Sequence, residues 1–259
     1  MSRIVHIADL HFGDEDSRLV DDFLNRLPGL SADVVVVAGD LTQTGSRAEF
    51  AQAAAFFGEI DAPIVLTPGN HDTPLLNVAT RLTRPWRRLQ KAMGEVADDR
   101  FLNDRVHIES FNSARGVQFR LDWSLGVVSR KKLANPLAAL GSSAVPTKIL
   151  TAHHPILSPL DNRGRARTKR APKFAREIAA IADLTLTGHL HQSFACPVTA
   201  ENRTAWFVGA STAFSSRTRE EPAGFNVIDV ADGYFSLTPY RAENGAFKET
   251  DVSRLDRLD

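Results

Sequence analysis

Five apolar stretches of this 259-residue chain each run into Asp, Asn or His. "RIVHIA" is followed by Asp9 and His11, "ADVVVVAG" by Asp40, and "APIVLT" by Asn70 and His71. "TKILTA" leads to His153 and His154, and "LTLTG" to His189 and His191. Any one pair is weak evidence, because surface histidines are common. Five sets at five strand ends are different, since ligands of open α/β sheets bind beyond the carboxyl ends of the strands.

The residue types favour a metal site. Residues i and i+2 of an extended segment point to one side, so Asp9 with His11, and His189 with His191, each offer two groups in one direction. Carboxylate, amide and imidazole without thiolate suit borderline divalent ions such as Mn, Fe, Co or Zn, whereas Ca prefers oxygen alone. About seven such groups exceed what one open site uses, so two ions sharing a carboxylate is the economical arrangement. Two such ions against Asp9 and Asp40 leave the site electropositive and attractive to phosphate. Metals about 3.5–4 Å apart can clamp both sides of an in-line displacement, and phosphoester hydrolysis is the natural chemistry.

The elements needed to position these groups are legible. Leu19, Val20, Phe23, Leu24 and Leu27 have helical spacing, and Pro28 and Gly29 are expected to stop that helix. The four valines of "ADVVVVAG" read as a strand covered on both faces. Ser46 and Glu49 match a capping box for a helix that runs through Phe56 and Phe57 to Gly58. The first third is thus βαβαβ, which predicts a parallel sheet. Strands are expected at "RVHIES", "SLGVV", "TKILTA", "DLTLTG", "TAWFVGA", "GFNVIDV" and "YFSLTPY", the last two joined by an Asp232-Gly233 turn. Helices are expected near 129–140 and 172–182. A helix at 85–96 would line one face with Trp86, Leu89, Met93 and Val96, opposite a basic face. The fold class is α/β, two mixed β-sheets packed together with helices outside, as a single domain over 1–259.

The series Asp9-x-His11, Gly39-Asp40, Gly69-Asn70-His71-Asp72, His153 and Gly188-His189-x-His191 resembles the calcineurin-like metallophosphoesterase superfamily, in order and with no motif missing. The resemblance implies a four-layer αββα sandwich and a dinuclear centre of two divalent metal ions, with a metal-bridging hydroxide as nucleophile. It implies that Asp9, His11, Asp40 and His191 hold one metal, and that Asp40 bridges to a second held by Asn70, His153 and His189. It makes His71 the group that protonates or stabilises the leaving oxygen, oriented by Asp72. The family places its ligand two residues before a proline, and Pro155 selects His153 over His154. A compact chain without an extra domain is similar to the class III cyclic-nucleotide phosphodiesterase branch. Cyclic nucleotides or other small phosphodiesters are the expected substrates.

Three rival readings stand beside this one. A pyrophosphohydrolase of UDP-diacylglucosamine type would use 73–100 as an apolar cap. A DNA exonuclease is disfavoured by the formal net charge of zero, from 31 basic and 31 acidic residues. A non-catalytic scaffold of the same fold is disfavoured by the intact ligand set and His71. Among cations, Arg115, Arg217 and Arg219 are the candidates to bind the rest of an anionic substrate. The "DNRGRARTKRAPK" segment, 161–173, carries six basic residues against one acid and could add to them. His6 and His107, inside strands, and the lone Cys196 read as structural. One cysteine excludes a disulfide framework. No stretch approaches the roughly 20 apolar residues of a membrane span. The N-terminus enters a strand at once, so a cytoplasmic protein is expected; oligomeric state is left open.

Overall fold

A computed structural model of the chain describes residues 1–75, 77–117, 124–157, 168–200 and 202–257. Element order is β1 (Ser2–Ile7), α1 (Ser17–Leu30), β2 (Val34–Val37), α2 (Arg47–Gly58), β3 (Ile64–Leu66), α3 (Val78–Thr83), α4 (Arg87–Met93), β4 (Arg100–Leu102) and β5 (Val106–Ser110). There follow α5 (Arg130–Ser142), β6 (Thr147–Thr151), α6 (Ala171–Ala179), β7 (Leu184–Thr187), β8 (Phe194–Ala200) and β9 (Arg203–Gly209). The chain closes with β10 (Gly224–Ala231), β11 (Tyr234–Glu243), β12 (Ala246–Glu249) and β13 (Ser253–Asp256).

These strands form two mixed sheets. The first has the order β12-β11-β10-β1-β2-β3, with β13 also on β11, and the second β4-β5-β6-β7-β9-β8. The run β1-β2-β3 is parallel, as the βαβαβ pattern requires. So is β5-β6-β7-β9. The alternation of side chains sorts the core into three layers. Ile4, Val34 and Val36 face Ile108, Ile149, Leu184 and Leu186 between the sheets. Val5, Val35 and Val37 turn outward to meet α1 and α2. Leu150 and Phe207 meet α5 and α6 on the far side. The result is the αββα sandwich that the resemblance implies.

Local signals explain most boundaries. Ser46 caps α2 reciprocally with Glu49, as the motif predicts. Asp232-Gly233 joins β10 to β11, and Gly233 takes φ +82°, a value costly for residues with a Cβ. Helix α1 runs past Pro28 and Gly29, contrary to expectation. Pro28 lies in its last turn, where it gives up one i→i−4 bond, and burial of Leu27 and Leu30 carries the helix on to Ser31 at φ 52°. The expected strand at "SLGVV" reduces to one bridge, Val127 with Lys169. The expected helix at 85–96 begins later and ends earlier, as α4. Leu89 and Met93 are buried in the same core as α1 and α2, and Trp86 and Val96 are half-buried. Of the basic segment, Arg163, Arg165 and Arg167 lie outside the described residues.

The helical side of the first sheet is tied together by aromatics. Phe23 is fully buried, with ring centroids 5.1 Å from Phe225, 5.4 Å from Phe214 and 5.9 Å from Phe56. Phe23→Ala removes the shared member of these pairs and is expected to cost about 3–5 kcal/mol of stability. Equilibrium urea denaturation would read this as a lower midpoint at unchanged slope.

Candidate metal centre

The parallel strands of both sheets end at one place, where Ala8, Ala38 and Ala210 pack together with only methyl groups between the backbones. The polar clusters follow these ends at once. Their backbone is unusual: Asp9, His11, Asp40, His189 and His191 all have positive φ, between 52° and 72°. Left-handed residues other than glycine cost energy and gather at functional sites. The two i, i+2 pairs therefore do not converge as extended strands, as the spacing argument supposed. They do so as left-handed turns just past the strand tip.

Asp9, His11, Asp40 and His153 are almost fully buried, and Asn70 and His191 nearly so. Asp9 Oδ1 lies 3.3 Å from His191 Nε2 and 3.9 Å from His11 Nε2. His11 Nε2 and His191 Nε2 face one another at 3.1 Å. On the other side, His153 Nε2 is 3.2 Å from Asp40 Oδ2 and 3.2 Å from Asn70 Oδ1. Asp40 falls in a ligand-competent group with His11 and His71 and in another with Asp9 and His153, every ligand atom within 4.8 Å of the others. His189 groups with His153 and His154.

His154 is excluded by its own hydrogen bonds. Its Nδ1 pairs with Ser113 Oγ at 2.9 Å, and its Nε2 donates to the Ser124 carbonyl at 2.8 Å, so neither nitrogen is free. His153 instead donates Nδ1–H to the Ala38 carbonyl at 2.7 Å, which turns Nε2 inward. His191 does the same through the Arg217 carbonyl at 2.8 Å. Such partners fix the tautomer that ligation needs. Burial drives the His11 imidazole down to about 4 and the His189 imidazole well below its usual range, helped there by His154 and His153, so both are neutral at pH 7. Burial alone would raise the Asp40 carboxyl, but His153 and His71 hold it well below the usual range. The His153 imidazole, disfavoured by burial but set against Asp40, is pushed up to about 9.

These residues fit a cation. Asp9 Oδ1 is fully buried yet has no hydrogen-bond donor, and two imidazole nitrogens meet nearly head-on beside it. A positive ion satisfies all three, and its binding would displace the proton that Asp40 induces on His153.

His71 is only half-buried and its ring centroid lies 4.8 Å from that of His11. Its backbone N–H donates to Asp40 Oδ1 at 2.7 Å, and its Nδ1–H to the Gln43 carbonyl at 2.7 Å. Asp72 does not orient this ring, contrary to what the resemblance implied. Its buried carboxylate accepts from Gly69 N at 2.9 Å, Thr42 N at 3.1 Å and Thr42 Oγ1 at 3.1 Å, stapling two site loops together. Nothing in the sequence pointed to Gln43, because the group that matters is its main-chain carbonyl. Arg217 and Arg219 are exposed at the rim on the His191 side, and the Arg217 guanidinium donates to Gln43 Oε1 at 3.2 Å. Arg115 is exposed after β5, close enough to Lys132 to help depress its ammonium, which burial chiefly lowers.

Residues 2–193 match the calcineurin-like phosphoesterases as a family. The chain belongs to that family. It is 27% identical to a probable cyclic nucleotide phosphodiesterase of Synechococcus sp., over 77% of this chain and 72% of that protein. It is 35% identical to a glycerophosphodiester phosphodiesterase of Enterobacter lignolyticus, over 27% of this chain and 29% of that one. Purple acid phosphatase from yellow lupin seeds shares the fold, with a TM-score of 0.71 at 14% identity. That likeness covers 98% of this chain, which spans about half the lupin chain (53%). Family membership and the phosphodiesterase relatives make this calcineurin-like chain a metal-dependent phosphoester hydrolase. No helix among its described residues is long and apolar enough to cross a membrane. His6 is buried in β1 against Asn226, and His107 pairs with Glu109 at 3.0 Å, so both stay outside the site.

One glycine sets the fit of the centre. A Cβ on Gly188 would fall 2.5 Å from Asp9 Oδ2 and 2.6 Å from Ala8 Cβ. Gly188→Ala is therefore expected to displace Asp9 and lower metal affinity about 10–100-fold, the range for disturbing a ligand's support. Metal content after dialysis at graded free Mn would check it.

Proposed function

We propose that the chain is a dinuclear phosphodiesterase whose substrates are cyclic nucleotides or other small phosphodiesters. The observation that carries this reading is the convergence of Asp9, His11, Asp40, Asn70, His153, His189 and His191 on one cluster, buried except for half-buried His189, with half-buried His71 beside it. Asp9, His11 and His191 would hold one cation, Asn70, His153 and His189 the other, and Asp40 both. Mn, Fe, Co or Zn suit these donors. When bound, such a pair supplies Lewis acidity toward the phosphoryl oxygens and acidifies an attacking water.

The chain's own residues do the rest. The carbonyls of Ala38 and Arg217 keep His153 and His191 in the ligating tautomer. The Gln43 carbonyl takes His71 Nδ1–H and leaves Nε2 to deliver a proton to the departing ester oxygen. Asp72 fixes the loops that carry Asp40 and His71 relative to each other. Arg217 and Arg219 at the rim supply positive charge for the non-reacting part of an anionic substrate.

The substrate class draws support from the Synechococcus relative, which aligns with most of this chain. A different observation favours the lipid pyrophosphohydrolase reading: Leu75, Val78 and Leu82, just after His71, are each more than half exposed. One assay separates them. With Mn added, turnover of bis-p-nitrophenyl phosphate and of cyclic nucleotides is expected to exceed that of p-nitrophenyl phosphate and of UDP-sugar lipids. Preference for the monoester or the lipid would overturn the diester assignment.

A further inference from the structure

Away from the metal centre, α2 and the α3–α4 segment enclose a groove of about 600 Å³. Its charge is one-sided. Arg47, Arg87, Arg88 and Lys91 line it, and among the described residues no carboxylate does. The stretch 73–94 holds five basic residues and no acid in a chain whose net charge is zero. Arg88 is committed, donating to the Gly45 carbonyl at 2.6 Å. Arg47, Arg87 and Lys91 are exposed, and their side chains make no ion pair or hydrogen bond with any described residue. The floor is apolar and low, with Phe50 and Ala54 from α2 and Ala92 from α4. Three uncommitted cations above such a floor suit a ligand with a charged end and a flat apolar body, and the volume lies within the usual range for small-molecule sites, about 300–1,000 Å³.

We propose that this groove is a second ligand site, for an organic phosphate of nucleotide size. Its phosphates sit among Arg47, Arg87 and Lys91, where guanidinium forks match phosphate oxygens, and its ring lies over Phe50 and Ala54. The site is distinct from the metal centre. The two are linked through the 43–45 loop, whose Gln43 carbonyl orients His71 and whose Gly45 carbonyl receives Arg88. Occupancy therefore bears on the loop that holds the proton donor. The inference does not depend on which ester the metal centre cleaves.

The probe is α,β-methylene-ADP, whose bridging carbon a phosphoesterase cannot cleave, titrated calorimetrically into the Mn-loaded protein. The double variant Arg87→Glu, Lys91→Glu should weaken binding at least about tenfold, since charge-assisted bonds are among the strong ones. Ala51→Trp fills the groove from an exposed helix position with every cation kept, and should weaken binding likewise. Both variants should hydrolyse bis-p-nitrophenyl phosphate within about twofold of the parent, which also shows that they fold. Parent-like affinity in either folded variant would overturn the site, because the analogue would then be binding elsewhere. So would absence of binding to the parent. Lysine-dependent capture by phosphatidylglycerol vesicles without analogue binding would overturn it in favour of a lipid surface.

Discussion

Asp40→Asn is expected to abolish activity by emptying the centre rather than by slowing chemistry at an intact one. Asp40 touches both halves: its Oδ2 lies 3.2 Å from His153 Nε2, and it also forms a ligand-competent group with His11 and His71. Asparagine keeps the shape but removes the charge and one acceptor oxygen. Its amide would also set a donor against either the His71 N–H, now bonded to Oδ1, or the cation. Loss of an outer partner of a metal ligand costs about 10–100-fold in affinity, and loss of a shared ligand should exceed that. Elemental analysis should find both ions depleted after dialysis, and the rise in melting temperature on adding Mn should disappear, because a ion that binds only the folded state stabilises it by mass action. Two ions retained at full occupancy would remove Asp40 from the bridging position, whatever happened to turnover.

The same residue shows how far sequence could go. That Asp40 follows a buried strand was readable from four consecutive valines, and that it meets His153 was implied by the family resemblance. The left-handed backbone at Asp9, His11, Asp40, His189 and His191 was not readable, because Asp and His visit positive φ more often than most residues yet keep negative φ at most positions. Tertiary hydrogen bonds impose it, such as Asp9 N to the Gly39 carbonyl and His189 N to Asp9 Oδ2. The carbonyls that fix the histidine tautomers belong to Ala38, Gln43 and Arg217, whose side chains are irrelevant to that task. Main-chain groups are identical at every position, so composition and spacing are blind to them. The misread Pro28 has a related cause: a proline stops a helix only where the lost bond outweighs burial, and Leu27 and Leu30 tip that balance. The short edge strands β4, β12 and β13 also lacked a signal, since a few half-exposed residues carry little alternation.

His71→Ala should separate chemistry from metal binding. The imidazole is half-buried at the edge of the cluster, and its Nδ1–H is held by the Gln43 carbonyl. The backbone N–H that supports Asp40 survives in alanine, so the bridging carboxylate keeps its 2.7 Å partner. Metal content should therefore stay at the parent level, while kcat falls by about 10²–10⁴-fold, the usual contribution of a positioned proton donor. The loss should depend on the leaving group. A p-nitrophenolate departs with little protonation, so bis-p-nitrophenyl phosphate should sit at the low end of the range and a cyclic nucleotide, which releases an alkoxide, at the high end. Gln43→Ala makes the control, since it removes the side chain but keeps the carbonyl, and should leave this leaving-group difference small. A fall in bound metal in His71→Ala, or equal losses for both substrates, would assign His71 to holding the centre and not to the departing oxygen.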